Sequence, residues 1–326
     1  NKSRAVSKLP CSIRRYAKPL ARKDDRLRFV VIGDRTGGHR PGVFERAMDQ
    51  INLLQPNFVI SVGDHIEGYT EDSNAIRTMW DEVEAAVGRL QMPFFHVVGN
   101  HDMSNSVMRQ AWNARLGRDY YHFVQDGVLF IALNTEDPPP PRVDKKNLFA
   151  KFDQAKLMRL FEVMQSDKAT QDKFFAENPE LAKVAAALAA SEKISISKAQ
   201  LDYVTKALAD NKDARWTVVL MHRPAWRAKS PEFEQIEKLL ADRPYTVLAG
   251  HYHSYAYEKR HGRDYIVMST TGGTQDANPN SPKTMDHVML VTMGAGSQGP
   301  DIANIKLDGL YDREGPAVPV AKAAAR

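Results

Sequence analysis

The chain has 326 residues, of which 43% are hydrophobic and 26% charged, the balance of a globular protein with a sizeable core. No stretch of about 18 apolar residues occurs, so a membrane-spanning helix is not expected. The single cysteine, Cys11, excludes an intrachain disulfide and a thiolate metal cluster. Any bound metal must therefore be held by oxygen and imidazole ligands, which suit ions such as Mn, Fe or Zn.

The net charge of +5 comes from the N-terminal end of the chain. Residues 1–28 contain ten Lys/Arg and two Asp, whereas the remaining chain has three more acidic than basic residues. A basic segment of this kind is able to bind nucleic acid or anionic lipid, but its prolines and scattered charges favour a solvated leader. We therefore predict a basic tail over 1–27. The tail lacks the apolar segment of a signal peptide, yet the missing initial Met is consistent with processing, so a periplasmic or secreted location is one expectation for a soluble protein.

The first part of the chain alternates between short apolar runs and segments with helical spacing of apolar residues. The predicted strands are 28–33, 58–63 and 94–99, and the predicted helices are 42–54, 78–90 and 104–116. This alternation indicates βαβ units and a mainly parallel sheet. A hairpin is predicted next, over 120–134, because Asp126-Gly127 is a favoured two-residue turn.

The middle of the chain has a different character. Residues 138–196 begin with four prolines and continue as charged, alanine-rich sequence without a strand signal, so we predict a helical insertion or cap. Ser197 is the predicted N-cap of a helix that runs to residue 210. The later predicted strands are 216–221, 245–249, 265–269, 287–293 and 302–307. The main domain is predicted to span 28–316, and residues 317–326 are expected to be frayed.

Side chains of the types that bind metals follow five of the predicted strands, directly after a Gly or at a turn. They are Asp34, Asp64, the run Asn100, His101 and Asp102, His222, and the pair His251 and His253. Because α/β sheets bind ligands at the carboxyl ends of their strands, we expect these side chains to converge. Carboxylates, an amide and imidazoles are sufficient for two metal ions that share a bridging carboxylate. Two such ions about 4 Å apart neutralise a phosphate ester and lower the pKa of a bound water.

The same segments resemble the signature motifs of the calcineurin-like metallophosphoesterase superfamily. The motifs are GD at Gly33-Asp34, GDxxE from Gly63 to Glu67, GNHD from Gly99 to Asp102, the strand-end His222, and GHYH from Gly250 to His253. They occur in the family's order over 28–293. The resemblance implies an α/β fold, a two-sheet αββα sandwich with metals at the strand ends. It also implies a dinuclear-metal phosphoric ester hydrolase, in which a metal-bridging hydroxide attacks phosphorus.

The resemblance further implies a role for each matching residue. The implied metal ligands are Asp34, Asp64, Asn100, His222, His251 and His253. Asp64 would bridge the two metals, and Asp34 and His253 would belong to the first of them. His101 would lie beside the leaving group, oriented by Asp102.

The first motif departs from the family pattern, because Thr36 occupies the position at which the family usually has a histidine ligand. Glu67 is the favoured replacement, since it stands where the purple acid phosphatase branch, which also lacks that histidine, places a ligating tyrosine. His65 follows the bridging Asp64 but should point the opposite way along an extended chain. A water is the third alternative.

A phosphorylated small molecule is the expected partner, with phosphomonoesters as the first choice and phosphodiesters as the alternative. Arg35, beside Asp34, is a candidate contact for a substrate phosphate, and Arg223, beside His222, is another; a solvated arginine is the competing interpretation of both. Nucleic acid and an obligate protein partner are not expected. A different class of function, a catalytically weak binding scaffold that keeps the fold, stays open because of Thr36.

Overall fold

The computed structural model describes residues 26–141, 148–164, 166–275, 284–294, 296 and 299–307. The strands are β1 (Leu27–Ile32), β2 (Phe58–Ser61), β3 (Phe94–Phe95), β4 (Tyr121–Gln125), β5 (Val128–Ala132), β6 (Trp216–Leu220), β7 (Tyr245–Ala249), β8 (Ala256–Arg260), β9 (Arg263–Val267), β10 (His287–Met293) and β11 (Asp301–Lys306). The helices are α1 (Val43–Leu54), α2 (Ser73–Val87), α3 (Ser106–Arg115), α4 (Gln154–Met164), α5 (Lys168–Glu177), α6 (Pro179–Ser191), α7 (Lys198–Asp210) and α8 (Pro231–Leu240).

The strands form two sheets, with the orders β11-β10-β1-β2-β3 and β4-β5-β6-β7-β9-β8. In the first sheet β1, β2 and β3 are parallel, and in the second β5, β6, β7 and β9 are parallel. The outer strands β10, β11, β4 and β8 pair antiparallel with their neighbours. Helices cover the outer faces of both sheets, and this arrangement confirms the predicted αββα sandwich.

The core between the sheets is aromatic. Phe29 and Val31 of β1 face this core, whereas Val30 and Ile32 pack on the side of α1, α2 and α3, because side chains alternate along a strand. Phe29 stacks on Phe58 of β2 with ring centroids 5.3 Å apart, and Phe130 of β5 packs edge-on against both rings. These contacts fix the two sheets face to face and so set the relative positions of their strand ends.

The sequence prediction was wrong about the start of one helix and the length of one strand, and it missed another strand. The strand predicted over 94–99 is only Phe94–Phe95. The helix predicted over 78–90 is Ser73–Val87, because Asp72 caps it five residues earlier by accepting hydrogen bonds from two backbone N–H groups. Strand β8 (Ala256–Arg260) was not predicted. It is the edge strand of its sheet and pairs on one side with β9. Its polar sequence, AYEKR, suits an exposed edge and lacks the apolar run of a buried strand. The hairpin of β4 and β5 is present as predicted.

Helices α4, α5 and α6 fall within the predicted insertion and form a small core of their own around Leu160, Leu181 and Leu188. The chain enters and leaves this region at one place, because Glu136 pairs with Ser195 through a short parallel bridge. Ser197 caps α7 as predicted, accepting a hydrogen bond from the backbone N–H of Gln200. Residues 142–147 and 165 of the predicted insertion lie outside the described residues, as do 1–25 of the predicted tail and 308–326.

Within the described part of the chain, every helix is too short or too polar to cross a lipid bilayer.

Candidate active site

The predicted site residues come together where the parallel strands of both sheets end. Asp34 and Asp64 follow β1 and β2, and His222 and His251 follow β6 and β7 of the other sheet. Ligand atoms of Asp34, Asp64 and His222 all lie within 4.8 Å of one another, and all three residues are buried. The backbone N–H of His251 donates to Asp34 Oδ2 over 3.0 Å, so the two sheets meet directly at the site.

His222 is held in one orientation. Its Nδ1 donates to the carbonyl oxygen of Val62 over 2.9 Å, which leaves Nε2 facing the cluster. Nε2 is 3.1 Å from Asp64 Oδ2 and 2.9 Å from Asn100 Oδ1. A histidine whose second nitrogen is tied to a backbone carbonyl is the usual arrangement of a metal ligand, because the bond fixes both the tautomer and the ring plane.

The second group of donors surrounds Asp34. His253 Nε2 lies 3.3 Å from Asp34 Oδ2, and its Nδ1 contacts the carbonyl oxygen of Thr274. The ring of His251 packs edge-on against that of His222 with centroids 5.1 Å apart. All six residues predicted as ligands therefore lie in one continuous cluster, with Asp64 and His222 on one side and Asp34 and His253 on the other.

Three glycines of the motifs are required by the close approach of these side chains. A Cβ on Gly99 would lie 2.1 Å from Asp64 Oδ1, and one on Gly250 would lie 2.3 Å from Asp34 Oδ1. A Cβ on Gly63 would lie 2.9 Å from His222 Nδ1. The backbone can therefore approach both carboxylates closely only because these positions have no side chain.

Several of the site residues have left-handed backbone conformations. The φ angles are 59° at Asp64, 78° at His251 and 53° at His253. Residues with a Cβ avoid this region, and where they adopt it the conformation is commonly associated with a functional site. Two of these side chains make contacts within the cluster, Asp64 with His222 and His253 with Asp34.

The charges of Asp64 and His222 depend on each other. Burial opposes the ionisation of Asp64, but the imidazoles of His222 and His101 outweigh it and lower the pKa of the carboxyl below its ordinary value. Burial also opposes a charge on His222, and Asp64 nevertheless raises the pKa of that imidazole to about 9. A proton on His222 Nε2 is thus stabilised beside an ionised carboxylate, and a metal ion bound by this nitrogen would have to displace that proton.

His101 and Asp102 do not form the expected pair. His101 Nδ1 contacts the carbonyl oxygen of Glu67 over 2.8 Å, and the Asp102 carboxylate is bonded elsewhere. Its oxygens accept hydrogen bonds from the backbone N–H groups of Asp64, His65, Ile66 and Gly99 and contact His65 Nδ1. The prediction that Asp102 orients His101 is therefore wrong, because this fully buried carboxylate is used to hold the turn that carries Asp64.

Thr36, the departure from the expected motif, lies next to Glu67. The Glu67 carboxylate accepts hydrogen bonds from the backbone N–H groups of Gly38 and His39. Burial opposes its ionisation, and the Thr36 hydroxyl together with these amides lowers the pKa of Glu67 from its ordinary value. Metal binding by Glu67 stays a prediction. The side chain of His65 does point away from the cluster, towards Asp102 and His96.

The prediction that Arg35 contacts a substrate phosphate is also wrong. Its side chain is 4% exposed and donates to the carbonyl oxygen of His65 over 2.8 Å. The guanidinium lies over the ring of Phe44, 5.5 Å from its centroid, and 3.8 Å from Glu82 of α2. Arg35 therefore turns away from the cluster and ties the loop after β1 to two helices.

The comparison with known families agrees with this geometry. Residues 27–255 match the model of the family described as calcineurin-like phosphoesterase, which is well over half of the chain. The chain belongs to the calcineurin-like phosphoesterase family. The expected resemblance is therefore confirmed, and the protein is a metal-dependent phosphoesterase whose family has dinuclear metal centres.

Solved structures share the fold of this phosphoesterase at low sequence identity. A dimetal phosphatase from Danio rerio is 15% identical with a TM-score of 0.58, and the match covers 87% of this chain and 97% of that one. GAP50, an anchor in the inner membrane complex of Plasmodium, is 15% identical with a TM-score of 0.52, and the match covers 87% and 86% of the two chains. No curated protein matches the chain.

Two parts of this phosphoesterase's site were not found from the sequence. Tyr69 accepts a hydrogen bond from Asn100 Nδ2 over 2.8 Å, and its ring packs edge-on against His101. Burial raises the pKa of Tyr69 to about 12, so its hydroxyl keeps its proton at neutral pH. Tyr69 lies in an irregular loop five residues after Asp64, where no periodic pattern indicates which way it faces.

The other part is an ionic network next to His222. Arg223 is buried, and its guanidinium lies 2.8 Å from Glu136 Oε1 and 2.6 Å from Glu192 Oε2. Glu192 directly follows α6, and the same oxygen is 3.7 Å from His251 Nε2. The helices between β5 and β6 therefore reach the cluster of predicted ligands. A signal for Glu192 was absent from the sequence, because its position depends on how these helices pack.

Proposed function

We propose that this phosphoesterase hydrolyses phosphomonoesters, with Asp34, Asp64, Asn100, His222, His251 and His253 holding two cations. The observation that supports this most directly is the grouping of Asp34, Asp64 and His222 within 4.8 Å. Two cations bound there would neutralise phosphoryl oxygens and supply hydroxide at neutral pH. The donor set of carboxylate, amide and imidazole groups fits Mn, Fe or Zn.

In this proposal the residues of the chain orient the substrate and move one proton. The Nδ1 contact of His101 with the Glu67 carbonyl leaves Nε2 to act on the leaving group. Because Nδ1–H donates to that carbonyl, Nε2 carries a proton only in the imidazolium form of His101. As the P–O bond to the leaving group breaks, the imidazolium would pass its Nε2 proton to the leaving oxygen and become a neutral imidazole, which avoids expulsion of an alkoxide. Asp64 Oδ1 accepts a hydrogen bond from the backbone N–H of His101 over 3.0 Å, so the proposed bridging ligand and the proposed acid are held together.

The approach of the inserted helices favours a monoester over a diester. Glu192 Oε2 lies 3.7 Å from His251 Nε2, which narrows the space on that side of the cluster. A diester needs room for a second organic group on phosphorus, whereas a monoester presents only oxygens there.

The test is a comparison of p-nitrophenyl phosphate with bis-p-nitrophenyl phosphate, each with added Mn²⁺. We expect faster turnover of the monoester and a fall to the background rate in Asp64→Asn. Because p-nitrophenolate leaves without a proton, the acid role of His101 is tested on phenyl phosphate, where His101→Ala should lose about 100-fold or more. Asp213→Asn and His261→Ala, which change exposed residues of the same types, are the matched controls and should keep full activity. Faster hydrolysis of the diester would replace the proposal with a phosphodiesterase.

Thr36 keeps one other function open, that of a binding scaffold with weak or no catalysis. It stands where the family pattern has a histidine ligand, and a family member that loses a ligand is on the route to such a role. Binding of Mn²⁺ by the wild-type protein without turnover of either ester would favour the scaffold.

A further inference from the structure

The amide of Asn100 has two ends of the same shape and opposite chemistry. Its Oδ1 lies 2.9 Å from His222 Nε2, and its Nδ2 donates to the hydroxyl oxygen of Tyr69 over 2.8 Å. Only the oxygen end of an amide binds a cation, because the NH₂ end is a donor without an available lone pair. Asn100 is 5% exposed, so water is a poor substitute for a protein partner at its NH₂ end.

Tyr69 is held firmly enough to serve as that partner. The residue before it, Gly68, passes so close to His101 that a Cβ there would lie 1.7 Å from the His101 carbonyl oxygen. Tyr69 itself has a φ of 50°, and its ring meets the His101 imidazole edge-on, with centroids 4.7 Å apart at 82°. The loop that carries Tyr69 is thus packed against the residue that follows Asn100 in the chain.

We infer that Tyr69 is a positioning residue of the metal centre, whose hydroxyl holds the NH₂ end of Asn100 and so presents Asn100 Oδ1 to the cation. This inference rests on the proposed function, in which Asn100 is a ligand. Without the hydroxyl, the amide loses the acceptor for its buried NH₂ group. The flipped amide, with Nδ2 towards the cation, then becomes more populated.

The first test is metal binding by Tyr69→Phe, a change that keeps the ring against His101 and removes only the hydroxyl. We expect one of the two Mn²⁺ affinities, measured by calorimetry on protein stripped of metal, to fall by about 10- to 100-fold, as for other groups that orient metal ligands. Tyr252→Phe is the matched control, since Tyr252 is a similarly exposed tyrosine between His251 and His253. Its affinities should equal those of the wild type.

The second test separates amide positioning from a general structural role. In the Asn100→Asp background both ends of the side chain are acceptors, so no orientation has to be chosen. Tyr69→Phe should then change Mn²⁺ affinity by less than about 2-fold, a non-additivity expected of residues that act through each other. An equal loss in both backgrounds would overturn the inference, and so would wild-type affinity in the single variant.

These outcomes are distinct from those that test the proposed function. A normal Mn²⁺ affinity in Tyr69→Phe, together with an active wild-type enzyme, contradicts only the role of Tyr69. A background-dependent loss of affinity in a protein that hydrolyses neither ester supports the role of Tyr69 and contradicts the proposed activity.

Discussion

The carboxylate of Glu192 lies 2.6 Å from the guanidinium of Arg223 and joins the end of α6 to the strand end that carries His222. Arg223 is 3% exposed and also contacts Glu136, which is fully buried, whereas Glu192 is half exposed. The two acidic partners of Arg223 therefore differ in burial. Arg223 neutralises a buried charge on one side and attaches the helical region to the active site on the other.

Arg223→Met should destabilise the protein far more than Glu192→Gln. The first change leaves Glu136 buried without its partner, which costs about 3–5 kcal/mol, whereas the second leaves the buried pair intact and should cost about 1 kcal/mol or less. Urea unfolding in the presence of a chelator measures both. Lys206→Met, which removes an exposed ion pair with Asp210, is the control and should fall within about 0.5 kcal/mol of the wild type. Similar losses of unfolding free energy in Arg223→Met and Glu192→Gln would contradict the dominant role of the buried pair.

Gly99→Ala should abolish tight metal binding although it removes no ligand. The added Cβ would lie 2.1 Å from Asp64 Oδ1 and 2.3 Å from the Asp64 backbone nitrogen, so Asp64 has to move. We expect Mn²⁺ affinity to fall by about 100-fold, since outer contacts alone change it by about 10- to 100-fold. Gly296→Ala, where an added Cβ meets nothing within 4 Å, should bind as the wild type does. Unchanged binding by Gly99→Ala would show that Asp64 is not confined as described.

Addition of Mn²⁺ should raise the unfolding temperature of the wild-type protein. A ligand at 100 times its dissociation constant stabilises the folded state by about 2.7 kcal/mol. A differential scanning fluorimetry titration should show this rise in the wild type and in Asp213→Asn. Asp64→Asn should lack it, because the central carboxylate of the cluster is lost. A rise of equal size in Asp64→Asn would place the stabilising ion elsewhere.

His287 should make the protein less stable in mild acid. Burial lowers its pKa to about 4, and its Nε2 accepts a hydrogen bond from the backbone N–H of Ser269, so the folded protein needs the neutral ring. The unfolded chain takes up this proton near its ordinary pKa of about 6.5. The stabilising effect is therefore complete above pH of about 6.5 and is lost as the pH falls towards 4.

This effect is measurable as a difference between variants. His287→Gln keeps an acceptor but does not titrate, so its free energy of unfolding should fall less steeply than that of the wild type between pH of about 6.5 and 4. His261→Ala, at an exposed turn, should retain the wild-type slope. Parallel curves for His287→Gln and the wild type would contradict the assignment.

The sandwich and the cluster were predictable because both follow from local patterns. Buried strands that end in Gly-Asp or Gly-His place donors at the same edge of a sheet, and the structure joins Asp34, Asp64 and His222 there. Partners that lie far apart in the sequence were not predictable. Asp102 was expected beside its neighbour His101, yet its carboxylate holds the turn at Asp64.

The two arginines show the same limit. Arg35 and Arg223 each follow a presumed ligand in the sequence, which made them candidates for phosphate binding. Packing decides otherwise, because α2 and the helical region bring Glu82 to Arg35 and Glu192 to Arg223. A sequence pattern indicates where a strand ends. It does not indicate which side chains of other helices pack against that strand end.

The backbone at Asp64, His251 and His253 bears on the choice between an enzyme and an inert relative. A left-handed conformation costs a residue with a Cβ about 1–2 kcal/mol, and glycine avoids that cost. The sequence nevertheless has an acid and two imidazoles at these three positions. Exchange for glycine would relieve the backbone only by removing side chains that the proposed metal centre needs.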